Sequence, residues 1–132
     1  MSHTIVNLMD VHDMAKDHGL SPGLESRFAR KPLELGQSGV SYFRLAPEFR
    51  IPFGHRHETQ EEVYLVVSGS ARMKLDDEIV DLGAWDAIRV PPDTTRGMQG
   101  GPEGAEVIAF GAPNTDNKDA EMLQDFWPTE ED

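Results

Sequence analysis

The chain has 132 residues, with 24 acidic and 12 basic side chains, no cysteine and a net charge of -12. This length fits one domain with one core, and the absence of cysteine excludes disulfides, thiolate metal sites and cysteine nucleophiles. The acidic balance argues against nucleic acid and anionic membranes as partners, because both are negatively charged. The apolar runs are far shorter than the ~20 residues that span a bilayer, and the N-terminus lacks the pattern of a secretory signal, so we expect a cytoplasmic protein.

The N-terminal part of the chain predicts short helical pieces. The stretch VHDMAKDHG, 11–19, predicts a short helix that stops at Gly19. A second helical piece is expected over LESRFAR, 24–30. His12 and His18 lie among aspartates in the first piece, where we expect a solvated helix face rather than a second metal site.

From residue 39 onward, β-forming residues dominate and turn residues separate short apolar runs. Several of these runs end at a proline or a glycine, which is typical of strands followed by turns. Strands are predicted at 39–47, 50–57, 62–69, 70–82 (two strands joined near Asp77 and Glu78), 84–92 and 105–113. Many short strands at regular spacing favour an all-β antiparallel sandwich or barrel. Tyr64, Met73, Trp85, Met98 and Phe110 are expected to pack inside it.

The C-terminal part predicts a helix followed by a tail. Thr115 and Asp116 are suitable helix N-caps, and the helix over 114–127 would place Ala120, Leu123 and Trp127 on one apolar face. The predicted organisation is therefore a single domain over 1–132. It comprises an N-terminal extension, 1–38, a barrel core, 39–111, and a C-terminal helix and tail, 114–132.

The stretch PFGHRHETQEEVYLVVSG, 52–69, carries the candidate chemistry. Alternate residues of a strand face the same side, so His55 and His57 point the same way, and Glu62 and Tyr64 share a face of the next strand. Two imidazoles and a carboxylate can then converge, which is a ligand set for a divalent ion such as Zn, Mn, Fe, Ni or Co. A His-x-His pair alone also occurs on exposed strands without function; the full spacing H-x-H-x4-E-x6-G strengthens the signal.

This spacing resembles the first motif of the cupin superfamily. The stretch from Gly83 through Pro91 to Arg96 occupies the place of the second motif, which ends in a histidine in the family. The resemblance to small single-domain cupins implies a double-stranded β-helix, or jelly-roll, barrel with short helical pieces at the N- and C-termini. It also implies an interior that binds a small molecule.

The resemblance implies a metal held by three histidines and one glutamate, and the chain departs from that set. His55, His57 and Glu62 match three positions. Glu61 is an alternative to Glu62, but Glu62 keeps the six-residue spacing to the closing Gly69. The fourth position is Arg96, whose guanidinium cannot ligate a metal. It could bind an anionic substrate group beside a three-ligand metal, pair with Glu62 in a metal-free anion pocket, or face solvent.

Two functions follow as expectations. The first is a metal-dependent oxygenase or isomerase/lyase, with His55, His57 and Glu62 as metal ligands and with Arg96 and Tyr64 as substrate-binding residues. The second is a non-catalytic, metal-free binding module or sensor that uses the same cavity. We also expect a homodimer, because a small barrel has sheet edges to cover and cupins commonly pair through such strands.

Overall fold

The structure is a computed structural model that describes residues 2–114 and 119–128. Within these residues, two short 3-10 helices, Leu8–Asp10 and Lys16–His18, precede all the strands. No helix in the described part of the chain is long and apolar enough to cross a membrane. The strands in these residues are β1 Leu24–Phe28, β2 Gly39–Leu45, β3 Gly54–Arg56, β4 Glu61–Leu75, β5 Glu78–Gly83, β6 Ala87–Val90, β7 Arg96–Ala112 and β8 Glu121–Leu123.

The two long strands organise the barrel. β7 pairs antiparallel with β2, β3 and β4, and β4 also pairs with β5 and β6, so the antiparallel sheet curls around one interior. The β4–β7 ladder shifts register on both sides of Gly69. Gly69 has a φ of 72°, and a Cβ there would lie 2.0 Å from the Gly104 carbonyl oxygen, so only glycine fits this bend. The predicted all-β barrel is confirmed.

The core lies on the inner faces of these strands, because buried and more exposed residues alternate along them. On β7, for example, Val107 and Ala109 are buried while Phe110 is 47% exposed. Tyr64, Met73 and Met98 are buried, as the sequence predicts. The expectation for Trp85 and Phe110 is wrong: Trp85 sits at the turn between β5 and β6 and is 72% exposed.

The N-terminal region is less helical than the sequence predicts. The expected helix over 24–30 is wrong, because this segment is strand β1 and pairs with β2 from Leu24 to Phe28. Its alternating burial is that of a strand with one face inside. The expected helix over 11–19 shortens to the 3-10 turn Lys16–His18, which ends at Gly19 with a left-handed φ of 71°. Asp13 explains part of this shortening of the helix, because its Oδ1 accepts hydrogen bonds from the backbone N–H groups of Ala15 and Ser26.

The C-terminal segment is extended rather than helical. Residues 115–118 of the predicted helix lie outside the described residues, but Glu121–Leu123 forms β8 and pairs with β3, so the helix prediction is wrong there. Strand β3 offers backbone groups that need hydrogen-bond partners, and tertiary pairing outweighs the weak helical pattern. Trp127 is buried, and its Nε1 donates to the Ile51 carbonyl at 3.0 Å, which fixes the end of this segment.

Candidate metal centre

Three strands bring the candidate ligands together. His55 lies on β3 opposite Arg96 of β7, and Glu62 lies on β4 opposite Gly111 of the same β7. The ligand atoms of His55, His57 and Glu62 lie within 4.8 Å of one another, so the three residues form a cluster that can hold a metal ion. Glu61 faces the other way: it is exposed, and its carboxylate accepts a hydrogen bond from Arg89 at 3.1 Å.

The spacing of the donor atoms fits a shared ion better than direct hydrogen bonds. His55 Nε2 and His57 Nε2 each lie 3.4 Å from Glu62 Oε1, beyond the usual hydrogen-bond distance. Two ligands of one ion, each about 2.0–2.2 Å from it, lie roughly 3.0–3.5 Å apart. His57 Nε2 is buried and has no hydrogen-bond partner among the described residues. A buried acceptor is costly to leave unpaired, and a metal ion would satisfy it.

Asp119 orients one of these histidines. Its Oδ1 lies 2.8 Å from His57 Nδ1, and its Oδ2 accepts hydrogen bonds from the backbone N–H groups of Thr59 and Gln60 at 2.7 and 3.0 Å. A carboxylate at Nδ1 favours the tautomer with the proton on Nδ1, which leaves the Nε2 lone pair free for a metal. Sequence reasoning missed Asp119, because it lies far along the chain in a segment with a helical pattern.

The Glu62 carboxylate is held by neighbours on both oxygens. Gln60 Nε2 donates to Oε2 at 3.0 Å, and the Tyr64 hydroxyl donates to Oε1 at 2.7 Å. Burial alone would raise the pKa of Glu62, but the nearby imidazoles of His55 and His57 and the hydrogen bond from Tyr64 outweigh it and hold that pKa well below its ordinary value. The carboxylate is therefore ionised and suited to a cation.

The pKa values of His57 and Tyr64, which lie beside Glu62, are raised rather than lowered. Burial would lower the pKa of His57, but its contacts with Glu62 and Asp119 outweigh this and raise that pKa above 6.5. Burial and then the Glu62 charge raise the pKa of Tyr64 well above its ordinary value, so its hydroxyl stays protonated and remains a donor.

Arg96 points into the barrel and is only 1% exposed, so it does not face solvent. Its Nη1 donates to the carbonyls of Pro92 and Thr94 at 3.2 and 2.9 Å, and its Nη2 donates to that of Pro91 at 3.2 Å. Its Nε lies 3.6 Å from Glu62 Oε1 and has no hydrogen-bond partner among the described residues. The turn thus fixes a positive charge beside the cluster, and the Nε edge of the guanidinium faces the ligands.

A cavity of about 380 Å³ adjoins the cluster. His55, His57, Glu62, Tyr64 and Arg96 all line it, so the predicted site residues share one space. Its volume lies in the range of small-molecule pockets in proteins. The remaining wall comes from β1, β2, β7, the segment before β3, and residues 14–20 and 120–122.

Comparison with known proteins agrees with this architecture. A family model described as a cupin domain matches residues 41–110, which is more than half of the chain, and the chain therefore belongs to the cupin family. A cupin protein from Bacteroides fragilis superposes with a TM-score of 0.70 at 19% identity, covering 89% of this chain and 90% of the other. The predicted membership in the cupin superfamily is confirmed.

Two further likenesses are more partial. Oxalate decarboxylase from Bacillus subtilis superposes with a TM-score of 0.75 at 24% identity, covering 94% of this chain but 32% of that larger chain. An uncharacterised protein of Methanocaldococcus jannaschii is 30% identical over 71 residues, and this match spans 53% of the present chain and 57% of that relative. At these identities the structural likenesses show the fold, and the reaction has to be argued from the site.

Proposed function

We propose that the protein binds one divalent transition ion through His55, His57 and Glu62, and binds a small molecule in the adjoining cavity. The observation that carries this proposal is the buried His57 Nε2, which has no hydrogen-bond partner in the described part of the chain and lies 3.4 Å from Glu62 Oε1. Asp119 supports it by fixing the His57 tautomer, and Tyr64 supports it by holding the Glu62 carboxylate in place.

Three protein ligands leave coordination positions open, which is the arrangement of catalytic rather than structural metal sites. A bound ion would supply Lewis-acid polarisation of a substrate oxygen, which metal-dependent isomerases and lyases use, whereas an oxygenase would need a redox-active ion such as Fe. Within the cavity, Arg96 places a positive charge beside the open positions and Tyr64 lines the wall. We therefore assign the protein to the metal-dependent enzymes of the cupin family that act on a small, anionic substrate.

One observation favours a second function. Arg96 Nε lies 3.6 Å from Glu62 Oε1, so the two charges already compensate each other within the barrel. A small closure would turn this approach into a hydrogen-bonded ion pair. The protein would then be a metal-free binding module or sensor, with both histidines available to an organic anion.

Metal titration with matched glutamate variants separates these functions. Protein purified without a metal-affinity tag or chelator is titrated calorimetrically with Zn²⁺ and with Mn²⁺. We expect one ion per chain, a loss of binding in Glu62→Gln, and unchanged binding in Glu61→Gln, because Glu61 faces outward and pairs with Arg89. If neither ion binds, or if both variants behave like the parent, the metal-free module is the better account.

The homodimer and the cytoplasmic location expected from the sequence stay predictions. For the dimer, the outer face of the sheet offers support in a cross-strand row of Val40, Phe110 and Val63. Phe110 in this row is 47% exposed, and a contact with a second chain would cover it.

A further inference from the structure

The cavity wall away from the metal ligands is largely apolar, with Ser26, Ser41 and Asn114 as polar members. Phe43 on β2 lies opposite Val107 of β7, four residues along β7 from Gly111, which lies opposite Glu62. Leu24, Ile51 and Met98 complete this wall, and all three are at least nine-tenths buried. The cavity therefore runs from a charged end to an aromatic and aliphatic end.

The rim of the cavity carries large apolar side chains beside the exposed His18. Phe28 and Met122 line the cavity and are 49% and 52% exposed, which places them where it opens to solvent. Phe28 packs edge-to-face against Phe43, with ring centroids 5.8 Å apart, so the apolar surface continues inward from the opening. Exposed side chains of this size at a cavity mouth indicate a ligand with an apolar part.

The size of the cavity limits the ligand. A volume of 380 Å³ corresponds to about a dozen water molecules at ~30 Å³ each, and hence to a ligand of about a dozen non-hydrogen atoms. A two-carbon dicarboxylate would fill about half of it on the same scale and would leave the apolar wall uncovered. A sugar acid of suitable size would place some hydroxyl groups against Phe43 and Met98, which offer no hydrogen-bond partner, and this is unfavourable.

The charge of the site limits the head group. With a divalent ion bound, the positive charges of the ion and Arg96 exceed the negative charges of Glu62 and Asp119 by one. The site therefore balances a monoanion and leaves a dianion uncompensated. The monoanion would lie at the charged end, because the opposite wall offers apolar side chains.

We infer that the ligand is a monocarboxylate with an aromatic or branched apolar body of about a dozen non-hydrogen atoms in total. This inference rests on the proposed metal-dependent function and specifies its substrate class. The carboxylate lies at the metal and the Nε edge of Arg96, and the apolar body packs between Phe43 and Met98.

The test uses the full chain loaded with Zn²⁺, after the metal stoichiometry has been measured. Calorimetric titration compares 3-phenylpropionate with succinate, which is a dicarboxylate that lacks a ring. We expect 3-phenylpropionate to bind at least about tenfold more tightly, because the ring buries apolar area that succinate does not have. Equal binding, tighter binding of succinate, or no binding of 3-phenylpropionate to metal-loaded protein would overturn this inference while leaving the metal site intact.

Three phenylalanine variants locate the bound ring. Phe43→Ala should weaken 3-phenylpropionate about fivefold or more and leave succinate unchanged, since only the ring meets this wall. Phe28→Ser at the rim tests the same surface at a half-exposed position where folding is less at risk. Phe110→Ala, on the outer face of the same barrel, is the matched control and should change neither affinity. Unchanged affinity in both cavity variants contradicts the proposed placement, whereas absent metal uptake contradicts the proposed function itself.

Discussion

Asp119→Asn tests how the second carboxylate controls the metal site. In the protein, Asp119 Oδ2 accepts from the Thr59 N–H at 2.7 Å, the Gln60 N–H at 3.0 Å and the Thr59 hydroxyl at 3.0 Å, while Oδ1 faces His57 Nδ1 at 2.8 Å. The side chain of asparagine has one acceptor oxygen, and we expect it to accept the hydrogen bonds from Thr59 and Gln60. Its amide nitrogen would then donate to His57 Nδ1 and favour the tautomer with the proton on Nε2.

The expected size of this effect follows from the proposed role of His57 as one of three metal ligands. A proton on Nε2 blocks the atom that faces the ion, so metal binding has to include a change of tautomer. Loss of such an outer partner weakens metal affinity about 10- to 100-fold, equivalent to about 1.4–2.8 kcal/mol. Competition titration against a chelator measures the affinity, and nitrogen-15 NMR of the imidazole reports the tautomer directly.

Glu121→Gln is the matched control for this experiment. Glu121 lies in the same C-terminal segment and pairs with Arg56 at 2.8 Å, but both side chains are largely exposed. An exposed pair contributes about 0–1 kcal/mol, and it does not touch the ligands. The metal affinity of the Glu121→Gln protein should equal that of the parent protein. The reasoning would be refuted by an Asp119→Asn protein that keeps both the parental metal affinity and the Nδ1–H tautomer of His57.

Three further outcomes are expected. Arg96→His should strengthen divalent-metal binding by about 1–3 kcal/mol, because it removes a buried positive charge and brings an imidazole to the cluster. Metal affinity should fall as the pH falls through the pKa of His57, which contacts with Glu62 and Asp119 hold above its ordinary value, because the protonated ring cannot ligate. The protein should be a dimer of 14.7 kDa chains at micromolar concentration by light scattering, and Phe110→Lys should dissociate it if the outer sheet face forms the contact.

Each of these outcomes has a result that contradicts it. Equal metal affinity in Arg96→His and the parent would mean that the turn carbonyls hold position 96 away from the ion. A metal affinity that is constant from pH 8 to pH 6 would remove His57 from the ligand set. A scattering mass of one chain would count against the dimer, and a dimer that survives Phe110→Lys would place the contact elsewhere.

The clustering of His55, His57 and Glu62 was predictable because it depends largely on local geometry. The period of two along a strand places His55 and His57 on the same side, and spacing alone favoured Glu62 over Glu61. The hairpin predicted near Asp77 and Glu78 is confirmed as the β4–β5 turn. Its turn signal was weak in the sequence because Asp76 adopts the positive φ, 51°, that asparagine or glycine usually supplies.

The remaining features depend on contacts between distant parts of the chain. Strand β1 carries a sequence that also suits a helix, and pairing with β2 decides its conformation. Strand β8 forms on the edge of β3 for the same reason, and this docking brings Asp119 to His57. The guanidinium of Arg96 donates hydrogen bonds to backbone carbonyls of residues 91–94. These contacts depend on the shape of the turn, which the sequence of the turn does not specify.

The central claim is that His55, His57 and Glu62 hold a metal ion, and anomalous X-ray diffraction from crystals of tag-free protein tests it most directly. Anomalous difference maps should show one peak per chain in data collected above the zinc or manganese absorption edge. The same peak should be much weaker in data collected below that edge. That peak should lie about 2.0–2.2 Å from His55 Nε2, His57 Nε2 and a Glu62 oxygen. No peak at these residues in metal-soaked crystals, together with Arg96 Nε hydrogen-bonded to Glu62, would contradict the claim.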